Sequence, residues 1–103
     1  MSRGVVLVRT EEPALQLQAL RTVLSLSLGD RQADLLVAAP GLAVLSPPSN
    51  SEAAHCLNTL RKVGLAIHLD EEAVHAQVDP RAGVLPHAEF VGRLATAEFV
   101  QVF

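Results

Sequence analysis

Tryptophan and tyrosine are missing from this 103-residue sequence, and phenylalanine occurs only three times. Proteins that hold single strands of nucleic acid stack the bases on aromatic rings, so platforms of that kind are not expected. Basic residues are also too few: 8 against 11 acidic ones, for a formal charge of −3. That balance offers no cationic surplus to grip a phosphate backbone. A single cysteine, Cys56, excludes an internal disulfide framework and an all-cysteine metal site, and a reducing compartment fits it. No apolar run approaches the roughly 20 residues of a membrane span. Val5-Val6-Leu7-Val8, near the start, is too short for the apolar part of a signal peptide. Neither of the glycine-rich phosphate loops, G-x-G-x-x-G or G-x-x-x-x-G-K, occurs. The expectation is a soluble, cytoplasmic protein without direct nucleic-acid or membrane contacts.

What the chain does have is apolar residues, 50% of the total, with a mean hydropathy of +0.32. That composition excludes a disordered acidic tail. The length suits one domain over residues 1–103. Small domains have little interior, so part of this apolar surface is expected to be covered by another subunit.

Val5 to Val8 is β-branched and does not alternate with polar residues, as in a strand buried on both faces. Thr10 reads as the N-cap of a helix that enters through Pro13 and stops at Gly29-Asp30. Leu17, Leu20, Leu24 and Leu28 form one stripe on it, with Leu15, Ala19 and Leu26 nearly opposite. The second stripe suits either a neighbouring helix or a partner subunit. Ala33 to Ala39 reads as a strand broken by Pro40-Gly41, and Leu42 to Leu45 has no clear period. Ser49 and Glu52 stand at capping-box spacing before a helix with Ala53, Cys56, Leu57, Leu60 and Val63 inward. Gly64 ends that helix and Leu65 to Leu69 is a strand. Asp70 caps a short helix to about Gln77, followed by a turn over Asp79 to Gly83. Val84-Leu85 is a short strand. A helix from Pro86 to Ala95 carries Phe90, Val91 and Leu94 inward, and Glu98 to Phe103 is the last strand. Alternating strands and helices predict a single-domain, flavodoxin-like α/β sandwich with four or five mainly parallel strands.

Ligands of such sheets bind beyond the carboxyl ends of the strands. Those ends carry Thr10, Glu11, His68, Asp70 and His87, which are the candidate ligand-binding residues. His68, Asp70, His75 and Asp79 match no strong metal signature, so no metal is expected. Glu11, Glu12, Glu71 and Glu72 could act as paired acid and base, but helix first turns favour acids in any case. Cys56 is the only candidate nucleophile, and its place on the apolar stripe predicts a buried, inert thiol.

Taken in order, three segments carry a family resemblance. They are Leu57-Asn58-Thr59-Leu60-Arg61-Lys62-Val63-Gly64-Leu65-Ala66-Ile67, the stretch from Val84 to Leu94, and the ending Glu98-Phe99-Val100-Gln101-Val102-Phe103. With the opening strand and long helix, the chain resembles the DsrE/DsrF/DsrH-like (TusBCD-like) sulfur-relay family over nearly its whole length. The ending resembles the DsrH-like branch most. The resemblance implies a parallel-sheet sandwich that assembles into homo- or hetero-oligomers. Active members of the family relay sulfur as a cysteine persulfide, in tRNA thiolation or sulfur oxidation. The carrier cysteine of the DsrE-like branch corresponds to Asp70 here, and Cys56 matches neither branch's cysteine. Aspartate has no sulfur to carry and undergoes no thiol exchange. The resemblance therefore implies a non-catalytic oligomeric subunit without cofactor. A sulfurtransferase using Cys56 and a small-ligand or metal-binding module are the alternatives.

Overall fold

A computed structural model describes residues 3–29, 32–73 and 83–103. Five strands form one sheet: β1 (Gly4–Val8), β2 (Ala33–Val37), β3 (Ile67–Asp70), β4 (Gly83–Leu85) and β5 (Phe99–Val102). They are ordered β4-β3-β2-β1-β5, and every pairing is parallel. Among the described residues three α-helices connect or cover them: α1 (Pro13–Leu28), α2 (Glu52–Lys62) and α3 (His87–Thr96). This is the flavodoxin-like α/β sandwich that the alternation of patterns predicts. Among the described residues no helix is long and apolar enough to cross a membrane.

Side chains alternate across a strand, so each strand feeds two layers. Val6, Val8, Leu35, Val37, Ile67 and Leu69 meet α1 and α2 in the larger core, which also holds Cys56, Leu57 and Leu60. Val5 and Leu36 face the other way and pack with Leu85 and Phe90 in a smaller core beneath α3. Leu94 and Ala97 border it.

Several local expectations shift by a residue or a turn. The Pro40-Gly41 break and the Leu42–Leu45 stretch are one 3-10 helix, Ala39–Leu45. The N-cap of α1 is Glu12, and the Thr10 hydroxyl instead accepts a hydrogen bond from the Glu12 N–H. Ser51, not Ser49, caps α2: its Oγ accepts from the Ala54 N–H at 3.2 Å. The short helix after Asp70 begins as a 3-10 turn, Glu71–Ala73. Its expected continuation to Gln77, and most of the Asp79–Gly83 turn, lie outside the described residues. Val63, expected inward, is the exposed C-cap of α2. Val91 is likewise exposed, because the buried line of α3 runs through Phe90 and past Leu94.

The buried face of α1 is centred on Gln16, Ala19, Leu20 and Val23. Ala19 thus belongs to the inward face, and Leu28 is exposed. The helix lies over β1 and β2 and alongside α2, so Leu17, Leu24 and Leu26 are packed at the margin of the same core. The second apolar stripe is consumed largely within the chain. Gln16, buried among these groups, is satisfied by donating from Nε2 to the Thr10 carbonyl at 2.9 Å.

Gly64 ends the α2 turn with φ of +76°, a conformation that favours glycine. Gly41 is required for a different reason. A Cβ there would stand 2.6 Å from the Val8 carbonyl oxygen, where the 3-10 helix lies against the end of β1. Replacing Gly41 with alanine forces that contact apart and is expected to cost about 1–3 kcal/mol. Gly92, in the middle of α3, has open space at the same position. There, alanine is expected to stabilise the helix by about 0.5–1 kcal/mol. Urea unfolding of the two variants should show midpoints moving in opposite directions.

Candidate functional site

The chain leaves β1 and β2 towards the α1–α2 layer and leaves β4 into α3 on the opposite face. β3 and β4 are neighbours, so their carboxyl ends border the place where the exits change sides. In α/β sheets ligands usually bind beyond the carboxyl ends of the strands at such a change of sides.

Asp70, the last residue of β3, is buried, and it forms a polar cluster with His87, Glu71 and Glu72. Its Oδ1 accepts from the Glu72 N–H at 3.2 Å, which tightens the chain into the 3-10 turn. Its Oδ2 lies 2.8 Å from His87 Nδ1, at the first residue of α3. Glu72 Oε2 stands 3.5 Å from the same ring nitrogen. Glu71 Oε1 accepts from the His87 backbone N–H at 2.9 Å. Pro86, the N-cap of α3, offers no side-chain oxygen, so Glu71 caps the helix from another segment.

The hydrogen bond to Asp70 holds the His87 imidazole above its ordinary pKa, and the charges of Asp70, Glu72 and Glu71 add to the effect against a smaller desolvation penalty. The acids also offset the unfavourable position of a cationic imidazole at a helix N-terminus. With Nδ1 turned to Asp70, Nε2 is left to give or take a proton in the range where histidine switches. No thiol or hydroxyl nucleophile accompanies the pair among the described contacts, so the arrangement supports proton transfer or hydrogen bonding to a ligand.

Ligand atoms of Asp70, Glu72 and His87 lie within 4.8 Å of one another. One nitrogen and two oxygen donors could hold a borderline divalent cation, although both Asp70 oxygens are already engaged. This is not the set His68, Asp70, His75 and Asp79. His75 and Asp79 lie outside the described residues. His68 shares Asp70's face of the sheet but stands two residues earlier, with Nε2 3.4 Å from Arg93 Nη1. Burial, with the Arg93 charge behind it, pushes the His68 pKa down. A guanidinium in that place repels a second cation.

Thr10 and Glu11 are not gathered with Asp70 and His87. They follow β1, which is separated from β3 by β2, a lateral offset of about 10 Å. Glu11 instead lines an apolar groove of ≈ 440 Å³ with Pro13, Leu17, Val44 and Pro47. Glu71 and Glu72 are the residues that sequence reasoning passed over, because first-turn acids explain themselves. The available signal was three consecutive acids at one strand end and a histidine just past the next strand.

Cys56 is 7% exposed, on the face of α2 that packs into the larger core. Arg21 stands on the facing helix, α1. That guanidinium is engaged by Glu52, to which its Nε donates at 3.1 Å.

An NMR titration of His87 should give a midpoint above 6.5, and Asp70→Asn should bring it down. Because the folded pKa is raised, the stability from the Asp70–His87 contact is complete below the unfolded pKa of about 6.5. It is lost as pH rises through the folded value, so wild type and Asp70→Asn should converge in stability on the alkaline side.

No protein-family model matches the sequence, and no curated protein matches it. Among solved structures, the crystal structure of the ychN protein from E. coli matches with a TM-score of 0.77, covering 100% of both chains at 13% sequence identity. That likeness shows the fold alone: a five-stranded parallel sheet flanked by helices, in the flavodoxin-like arrangement.

Proposed function

We propose that this chain is a non-catalytic DsrE-like subunit that acts by assembling, with copies of itself or with related subunits, in a setting of the sulfur-relay type. The observation that carries the reading is the position of its thiol. Cys56 is enclosed between α2 and the sheet, while the strand end that would carry a sulfur acceptor holds Asp70 bonded to His87. A buried thiol without a free cation beside it lacks the setting that makes cysteine reactive. The assembly half of the reading draws on the α3 face of the sheet. Val100 and Val102 share that face with Val5 and Leu7 by register, and α3 leaves them exposed, as it does its own Val91.

In the native protein Cys56 should resist alkylation and accept no persulfide from a sulfur donor, and it should react freely once the chain is unfolded. Light scattering at micromolar concentration should give a mass at least twice the 10.9 kDa of the chain. Val102→Glu should reduce that mass without lowering helicity. A monomeric wild type, or a Cys56 that loads sulfur in the folded state, rules the reading out.

A second reading, a small-ligand or metal-binding module at the carboxyl edge, is favoured by the convergence of Asp70, Glu72 and His87. It predicts that stoichiometric zinc perturbs the His87 ring resonances and that Glu72→Gln abolishes the effect. Unchanged resonances at equimolar zinc dismiss the metal form.

A further inference from the structure

The amino-terminal edge of the sheet carries a second polar cluster, independent of the reading above. There, at the C-terminal end of α3, lies a cleft of ≈ 390 Å³ with Val5 and Ala97 in its walls and Arg3, Arg93, Asp34 and Glu98 as its charged groups. Asp34 is the anomaly. It stands in an otherwise apolar strand, Ala33-Asp34-Leu35-Leu36-Val37, and is only 4% exposed. A carboxylate so deeply placed is costly unless it is paired and hydrogen-bonded. Yet its Oδ1 accepts no hydrogen bond. Arg3 Nη2 stays 3.5 Å from Oδ1, and Arg93 Nη1 stays 3.8 Å from Oδ2.

Charge-assisted hydrogen bonds run at about 2.7–2.9 Å, so neither arginine is bonded closely to Asp34. Arg93 is held only slightly more closely elsewhere, by a long contact of 3.4 Å to His68 Nε2 and one of 3.7 Å to Glu89 Oε1. The carboxylate thus draws both guanidiniums to the cleft without using their donors, and its own Oδ1 lacks one. Buried polar groups are almost always satisfied, so the arrangement reads as one from which a partner is missing.

The mixture of charges narrows what that partner is. A simple anion would meet Asp34 and Glu98 as well as the arginines. A simple amine would meet Arg3 and Arg93 as well as the carboxylates. A molecule with both charges satisfies both halves: its ammonium donates to the carboxylate side and its carboxylate accepts from the guanidiniums. The volume lies at the small end of the roughly 300–1,000 Å³ typical of ligand pockets. We propose that this cleft binds a small zwitterion of free amino acid or dipeptide size, held by Arg3 and Arg93 at its carboxylate and by Asp34 and Glu98 at its ammonium.

The test is an amide NMR titration of the full chain with L-alanine, L-methionine and the dipeptide Ala-Ala. Propionate and propylamine serve as singly charged analogues. At least one zwitterion should give saturable shifts at Val5, Asp34, Thr96 and Ala97, with Kd in the millimolar range or below. The analogues should bind about tenfold more weakly or worse, since each leaves one charge of the site unmatched. Arg93→Gln and the more exposed Arg3→Gln should each cut affinity by about tenfold, with thermal melts confirming that the variants fold. Asp34→Asn should do the same where it folds. The proposal is overturned by any of three results: no saturable shift with any zwitterion up to about 50 mM, a range that reaches the weakest useful affinities; equal binding of the analogues; or shifts confined to Glu72 and His87 at the other edge.

Discussion

The two-residue alternation of β1, β2 and β3 sends two unlike sets of side chains to the two sides of one sheet, and most of this molecule's architecture follows from it. One side receives Val6, Val8, Leu35, Val37, Ile67 and Leu69, all of them apolar. Such a face must be dried completely, and α1 and α2 do so. Each large aliphatic side chain buried there contributes about 1.5–3 kcal/mol relative to exposure. The other side receives Val5, Leu7 and Leu36 but also Asp34, His68 and Asp70. Among the described residues one ten-residue helix, α3, covers that side and leaves both its ends open.

The consequence is a division of labour between layers. Cys56 belongs to the dry layer, where a thiol behaves as a small apolar group. The two buried carboxylates, Asp34 and Asp70, belong to the wet layer and meet their partners Arg93 and His87 at the two ends of α3. His87 begins the helix, at its positive end, and three acids answer it. Arg93 stands in the last turn, at the negative end, where a cation is favoured without help. That difference accounts for the close, well-made contacts around His87 and the loose ones around Arg93.

The fold is shared with a protein only 13% identical over its whole length. Likeness at that distance preserves the pattern of apolar and polar positions and the order of elements, because these are what the layers require. It does not preserve the identity of single residues at a strand end. Whether that end carries a thiol or a carboxylate changes the chemistry completely and the packing hardly at all.

The sequence by itself determined the elements, their alternation and therefore the parallel sandwich, because buried strands and amphipathic helices leave periodic traces within short windows. It also determined that Cys56 is interior, since a thiol in line with Leu60 on an apolar helix face has nowhere else to go. The strand order was decided only in three dimensions, and with it every contact between distant segments. Asp70 and His87 are 17 positions apart and meet because β3 and β4 are neighbours. Thr10 and Glu11, equally plausible as strand-end residues, are kept from them because β2 intervenes. Asp34, Arg3 and Arg93 gather for the same reason, through a register that sets Asp34 beside Val5 and a crossover that carries α3 over the sheet. Periodicity is a local property of the chain. Adjacency of strands is settled by the free energy of the whole sandwich, and no window of sequence contains it.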